Sequence, residues 1–549
     1  MKRNQIVSMM YILLVLSFTP LFAQGVYEAW VARYDGPANS VDEANALAVE
    51  NDGNVYVTGY SRGSGSLDDY TTIKYAPNGD SLWVRRYNGP GNSYDEASAL
   101  ATDNSGNVYV TGLSIGSGSE FDYATIKYAP NGDTVWVRRY NGPGNSYDEA
   151  NALAVDNSGN VYVTGYSIGS GSDWDYATIK YAPNGDSLWV RRYNGPGNYD
   201  DVAEALAVDM SGNVYVTGSS TGSGSSRDYA TIKYAPNGDT IWVRRYNGPA
   251  NSYDYAYALA VDNSGNVYVT GSSPGSGSSE DYATIKYAPN GDSLWVRRYD
   301  GPGNSYDEAN ALAVDNSGNV YVTGYSTGSG SLEDYATIKY APNGDTLWVR
   351  RYNGPANSYD YAYALAVDNS GIVYVTGFSI GSGSFRDYAT IKYAPNGDSL
   401  WVRSYDVPTN GDDEARALAV DTSGNVYVTG YSYRSGSSFD YATIKYSPCS
   451  AIPGDVNSSS TITLGDIIHL LNYVFDRDNP PCIGIDPGNC WDFGLTCRGD
   501  VNNSASITLG DIVHLLNYLF DRDNPPCLGT DPGNCWTPEQ SGGCCQPLP

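Results

Sequence analysis

Asp455, Asn457, Ser459, Thr461, Thr463 and Asp466 place oxygen donors at positions 1, 3, 5, 7, 9 and 12 of a twelve-residue stretch. That spacing suits a hard divalent cation. Calcium takes six to eight oxygens, and a loop of this length offers them from alternate residues before a last carboxylate enters a helix. Position 7 is filled by the Thr461 carbonyl, and Thr463 acts directly or through water. Asp500, Asn502, Ser504, Ser506, Thr508 and Asp511 repeat the pattern 45 residues on. With two carboxylates per loop, the expected dissociation constant is on the order of 10⁻⁴–10⁻³ M.

Each loop runs into an apolar stretch with steps of three, four and seven, which predicts one amphipathic helix from 467 to 475 and its copy ending at Phe520. The two histidines of the chain, His469 and His514, hold matching helix positions, where a solvated face is the plain reading and a metal or catalytic role the sharper one. All eight cysteines follow residue 448, a segment that reads as disulfide-stapled, with a zinc site as the competing reading. The Cys482–Cys490 spacing returns as Cys527–Cys535, which favours bridges within each copy, although sequence leaves all 105 pairings open. Such bridges would also hold the module if the loops took little metal.

Two loops, each followed by one helix, resemble a type I dockerin over roughly 454–540. The chain departs from that family at position 5 (Ser459, Ser504), at position 6 (Ser460, Ala505) and in its longer Cys- and Pro-bearing insert. The resemblance implies calcium as cofactor and docking to a cohesin-like or other surface protein through loop positions 10 and 11. Those are Leu464-Gly465 and Leu509-Gly510; their repetition allows two docking poses, and the apolar leucines leave the partner type open.

The rest of the chain is a repeat. Tryptophan opens a strand at Trp30, Trp83, Trp136, Trp189, Trp242, Trp295, Trp348 and Trp401, each step 53 residues. One unit shows four strand candidates, at 46–49, 54–60, 70–76 and 81–87, bounded by turn residues such as Asn78-Gly79. The first three strand types occur eight times, while the fourth occurs seven times inside the array and once alone at 29–34. Pairing that orphan with the last unit closes an all-β, eight-bladed propeller, followed by the small α-helical calcium-loop module. An open solenoid, or a seven-bladed ring with a spare unit, is the alternative. Ala-Leu-Ala-Val suits the crowded axis and Trp-Val-Arg-Arg-Tyr the outer edge. The GNVYVTG and DYATIKY segments resemble bacterial SBBP-type β-propeller repeats over 27–447, which implies fold and says little about activity.

The start of the chain has a basic cluster at Lys2-Arg3, an apolar run from 12 to 18 and a small residue at Ala23, so residues 1–23 read as a signal peptide. Residues 27–447 are then the ring, 448–453 a linker and 454–549 the calcium-loop module. The expected product is secreted, extracellular or at a cell surface, with no membrane insertion. A net charge of −29 disfavours nucleic acid as a partner.

Most of the 51 tyrosines, such as Tyr56, Tyr70, Tyr75 and Tyr87, recur at fixed strand positions and read as packing. Differences between units gather on one face. One rim position reads Glu43, Glu96, Glu149, Val202, Tyr255, Glu308, Tyr361 and Glu414; another reads Asn45, Ser98, Asn151, Glu204, Tyr257, Asn310, Tyr363 and Arg416. Tyr255, Tyr257, Tyr361, Tyr363 and Arg416, with Trp174 in a neighbouring loop, are candidates for a face that takes a glycan or protein ligand; drift after duplication is the bland reading. Two Asp rings, starting at Asp42 and Asp69, read as turn structure, with calcium at the axis as the sharper alternative. The ring holds no His or Cys, so serine- or cysteine-type triads are absent from it. The reading is a non-catalytic binding or scaffolding propeller, associated with polysaccharide binding or breakdown. The alternative is a polysaccharide hydrolase or lyase using an irregular acid pair such as Glu204 and Glu308.

Overall fold

The computed structural model describes residues 26–448, apart from 382–384, 408–410 and 437. The expected signal peptide, the linker beyond 448, both calcium loops with their helices, the docking positions and every cysteine lie outside the described residues. Among the described residues no helix is long and apolar enough to cross a membrane.

Eight four-stranded antiparallel sheets form the ring. Blade 1 consists of Asp42–Val49, Val55–Arg62, Asp68–Tyr75 and Ser81–Tyr87, from inner to outer edge. Inner strands of successive blades touch all the way round, and those of blades 8 and 1 touch each other. Val26–Tyr34 supplies the outer strand of blade 8, with Trp30 opposite Lys445 and Tyr34 opposite Tyr441. No blade is left with an unpaired strand of its own, which removes a template for aggregation.

The seams show why each unit carries a tryptophan. Trp83, 8% exposed, donates from Nε1 to the Pro130 carbonyl of the next blade at 3.1 Å, and the Tyr70 hydroxyl donates to the Ala124 carbonyl at 3.0 Å. The closing seam repeats both bonds: Trp30 to Pro77 at 3.0 Å and Tyr441 to Thr71 at 3.1 Å. A closing seam built like the internal ones excludes the open solenoid and the seven-bladed ring. Each large side chain buried in these seams contributes ~1.5–3 kcal/mol. Tyr56, Tyr70 and Tyr75 are at most 2% exposed, and Tyr87 meets the Tyr70 ring edge-on at 5.6 Å, so the fixed tyrosines are packing.

One feature differs from the sequence reading. The inner strand starts at Asp42, four residues before the expected 46, because Asn45 bulges: pairing passes from Ala44–Gly59 to Ala46–Thr58. A bulge breaks the period of two on which pattern reading depends. Gly59 permits the close approach there, since a Cβ would sit 1.9 Å from the Glu43 carbonyl oxygen. The Asp rings are turn structure, as the sequence reading has them. Asp42 is wholly buried and accepts the Gly36 N–H at 2.6 Å, while Asp69 pairs with Arg86 at 2.9 Å. Both rings lie in the seams between blades, as turn and seam structure.

Candidate functional site

The bulge decides what reaches the mouth of the ring. In blades 1, 3 and 6 the bulged residue is asparagine, and its amide donates to the next inner strand: Asn45 to Ala97 at 2.9 Å, Asn151 to Ala203 at 2.9 Å, Asn310 to Ala362 at 3.0 Å. Blades 4, 5, 7 and 8 put Glu204, Tyr257, Tyr363 and Arg416 at that position instead. The mouth is therefore asymmetric, although the strands beneath it are near copies.

The neighbouring rim position is paired across the blade. Glu43 faces Tyr60, Glu149 faces Tyr166, Glu308 faces Tyr325 and Glu414 faces Tyr431. The Tyr431 hydroxyl donates to Glu414 at 2.9 Å, and Tyr166 bonds Glu149 in the same way. In blades 5 and 7 tyrosine replaces the acid, and its facing residue becomes Ser272 or Phe378.

These exchanges join into one track over blades 5 to 8. Tyr253, Tyr255 and Tyr257 stack along the inner edge of blade 5, with 6.2 Å between successive ring centres and planes within 11°. The Tyr257 hydroxyl reaches Glu308 at 3.5 Å, and Glu308 bonds Tyr325. Tyr325 stacks on Tyr361 at 4.2 Å; Tyr361 and Tyr363 both meet Phe378, at 5.0 and 6.0 Å. Arg416 lies over Tyr363 at 5.5 Å and is held by Glu414 at 2.9 Å. Four half-buried tyrosines and an exposed arginine thus form one surface with alternating ring faces, hydroxyls and charge. Trp174 belongs elsewhere: it packs on Tyr166 of blade 3 at 4.9 Å.

Sequence reading missed Tyr325 and Phe378 and had Glu414 only as a varying rim position; Arg227, in a varying loop, lies over Tyr255 at 5.7 Å and is paired with Asp200. The signal was present. The residue 17 positions on is tyrosine after four of the five rim glutamates and serine or phenylalanine after the two rim tyrosines, but only the register shows that the two face each other.

Several rim acids are held partly protonated near neutrality. Burial, followed by the Glu149 charge, pushes Glu204 up to about 7, with Arg227 pulling it back. Burial pushes Glu96 up to about 7, reinforced by Asp68, Glu149 and Glu43; its facing residue, Leu113, offers no hydroxyl. Glu308 also reaches about 7, through burial and Glu280, against hydrogen bonds from Tyr325 and Tyr257. Burial raises the Tyr257 phenol, so that hydroxyl stays a donor at neutral pH. Glu204 stands on the inner strand of blade 4 and Glu308 on that of blade 6, so the two are not on neighbouring blades.

Comparison with curated proteins gives no match. Solved structures to which the chain is similar include Drosophila plexin A in complex with semaphorin 1b, at TM-score 0.39 and 10% identity, covering 79% of this chain and 90% of that one. A PL25 polysaccharide lyase, an ulvan lyase, aligns at TM-score 0.36 and 11% identity, over 71% and 95%. The α-L-arabinofuranosidase Arb93A from Fusarium graminearum aligns at 0.33 and 12%, over 76% and 98%. SBBP beta-propeller repeats are found in six stretches of the ring, at residues 82–118, 135–171, 188–224, 241–277, 294–330 and 409–434.

Proposed function

We propose that this is a secreted, non-catalytic binding propeller that takes a glycan or a protein segment on the aromatic track of blades 5 to 8. The observation that carries the reading is the continuity from Tyr255 and Tyr257 through Glu308 and Tyr325 to Tyr361, Tyr363 and Arg416. Aromatic faces half open to solvent stack on sugar rings or side chains, while hydroxyls, Glu414 and Arg416 fix orientation. The residues after 448 extend the reading: two calcium loops and Leu464-Gly465 with Leu509-Gly510 would dock the ring, with calcium, to a cohesin-like or other surface protein.

One observation favours a second reading. Glu204 titrates near 7, the range in which a carboxylic acid can act as general acid. A polysaccharide hydrolase or lyase would use it, but its charged neighbour Glu149 is already bonded to Tyr166. A glycan and peptide array probed with the full chain, with product release assayed on each hit, separates the two. Binding without product release supports the first reading; reducing ends or unsaturated products, lost on Glu204→Gln, would replace it with the second. A pull-down with the full chain, with and without calcium, tests the docking role.

A further inference from the structure

Every seam carries two buried aspartates on the loop face, one from the third strand of a blade and one opening the inner strand of the next. A third residue, at the end of the outer strand, lies beside them. It is asparagine in five seams (Asn88, Asn141, Asn194, Asn247, Asn353) and aspartate in three. The exchange creates compact carboxylate groups: Asp35, Asp42 and Asp440 between blades 8 and 1, and Asp281, Asp300 and Asp307 between blades 5 and 6. In each, three carboxylate oxygens lie within 4.8 Å of one another.

Three further observations set these groups apart from ordinary surface acids. Asp440 is fully buried and Asp281 is 4% exposed, and in both Oδ1 is buried with no hydrogen-bond donor, a state shared by Asp69, Asp122, Asp175, Asp228 and Asp334, so what is particular to these seams is the third carboxylate beside it. The Oδ2 atoms are taken by Arg33 at 3.2 Å and Arg298 at 2.7 Å, so the guanidinium does not satisfy the other oxygen. In the five asparagine seams the amide donates to the asparagine four residues on, as Asn88 does to Asn92 at 2.6 Å. Asp35 and Asp300 have no such proton to give, while Asn39 and Asn304 bond the Gly436 and Gly277 carbonyls just as Asn92, Asn251 and Asn357 bond Gly65, Gly224 and Gly330.

Charge completes the argument. Two aspartates and one arginine leave one negative charge in an asparagine seam; the third carboxylate leaves two. Two oxygens bound to one calcium ion at ~2.3–2.6 Å lie at most about 5 Å apart, so groups of this size can share one ion. We propose that the blade 8–1 and blade 5–6 seams each bind a divalent cation, calcium fitting the oxygen set best. The ion is held by Asp35, Asp42 and Asp440 in one seam and by Asp281, Asp300 and Asp307 in the other. Asp35 and Asp300 are exposed, which leaves room for water to complete the coordination. Asp387, Asp406 and Asp413 form a third group at the blade 7–8 seam, where Ser404 stands in the place of the arginine. One consequence is a closing seam whose strength depends on calcium.

The test uses the full chain with the C-terminal loops silenced by Asp455→Asn and Asp500→Asn. Calcium uptake is counted by equilibrium dialysis, before and after adding Asp35→Asn and Asp300→Asn. Asparagine is the chain's own residue at five equivalent seams, so the variants should keep the fold. The loop-silenced chain is expected to take up calcium and to lose two ions per chain on the second pair of substitutions. Calcium, and not magnesium, should also raise its melting temperature. A loop-silenced chain that binds no calcium, or that keeps the same number of ions after D35N/D300N, overturns the proposal. Uptake unaffected by D455N/D500N would instead count against the C-terminal loops alone.

Discussion

Tyr34 lies opposite Tyr441 in the closing sheet, and their rings meet edge to face at 5.6 Å. One residue belongs to the first described strand and the other to the last, so this contact is where the chain becomes a ring. Deleting 26–34 should leave blade 8 with an open edge and produce aggregates or domain-swapped species, read by light scattering against the full chain. Trp30→Ala should cost about 2–3 kcal/mol and mainly speed unfolding. The more buried Trp83→Ala should cost ~3–5 kcal/mol in denaturant titration.

Arg139 shows how a seam is tied on the loop face. It donates to Asp122 at 2.8 Å, to the Ser114 carbonyl at 2.7 Å and to the Tyr87 hydroxyl of the preceding blade at 3.2 Å. Lysine cannot reach these acceptors together, since its single ammonium lacks the planar fork. Arg139→Lys should therefore lose nearly as much stability as Arg139→Ala, about 2–4 kcal/mol. Recovery to wild-type stability by lysine would show that charge alone matters there.

Glu414 is 1% exposed and holds Arg386 at 2.8 Å, Arg416 at 2.9 Å and Tyr431 at 2.9 Å. Glu414→Gln should cost ~1–3 kcal/mol, discounted because both arginines are open to solvent. It should also release Arg416 from its place over Tyr363. Ligand affinity should fall alongside stability.

Stability should fall as pH rises through neutrality when calcium is chelated. Glu96 and Glu204 are lifted to about 7 in the folded ring, above their unfolded values, so the folded state holds protons that the unfolded state has released. Their contribution is complete below the unfolded pKa and is lost as pH passes 7. Glu204→Gln should leave stability at pH 5 nearly unchanged and raise it at pH 8 by about 1 kcal/mol, after discounting for its partial exposure. At the acid end, Asp103 works the other way. Hydrogen bonds from Asn107, Tyr109 and Ser105 outweigh the opposing effect of burial and hold it below the usual carboxylate range, so its contribution disappears only in strong acid. Equal melting temperatures at pH 5 and pH 8 would contradict the rim assignments.

How much of this was legible in sequence depends on whether a residue acts within its own strand or across strands. The 53-residue tryptophan step and the orphan strand gave blade number and closure because both are properties of order along the chain. Asn45 was not legible as a bulge, since the shift from Ala44–Gly59 to Ala46–Thr58 leaves no trace in a hydrophobic pattern. The rim tyrosines stood out as exceptions to the repeat. Their partners did not: Tyr325 faces Glu308 within its own blade, and only the packing of blade 6 on blade 7 stacks it on Tyr361. The Asp rings were legible as turn structure, but sequence does not say that Asp440 and Asp42 meet across the closing seam.

The aromatic track is tested most directly by isothermal titration of an array-selected ligand into wild type and into the Tyr255, Tyr257, Tyr361 and Tyr363 to alanine variant, with melting temperature as a folding control. The expected result is a folded variant whose affinity is at least tenfold weaker, with an intermediate loss for Arg416→Ala. A folded variant that binds every wild-type ligand with unchanged affinity would contradict it.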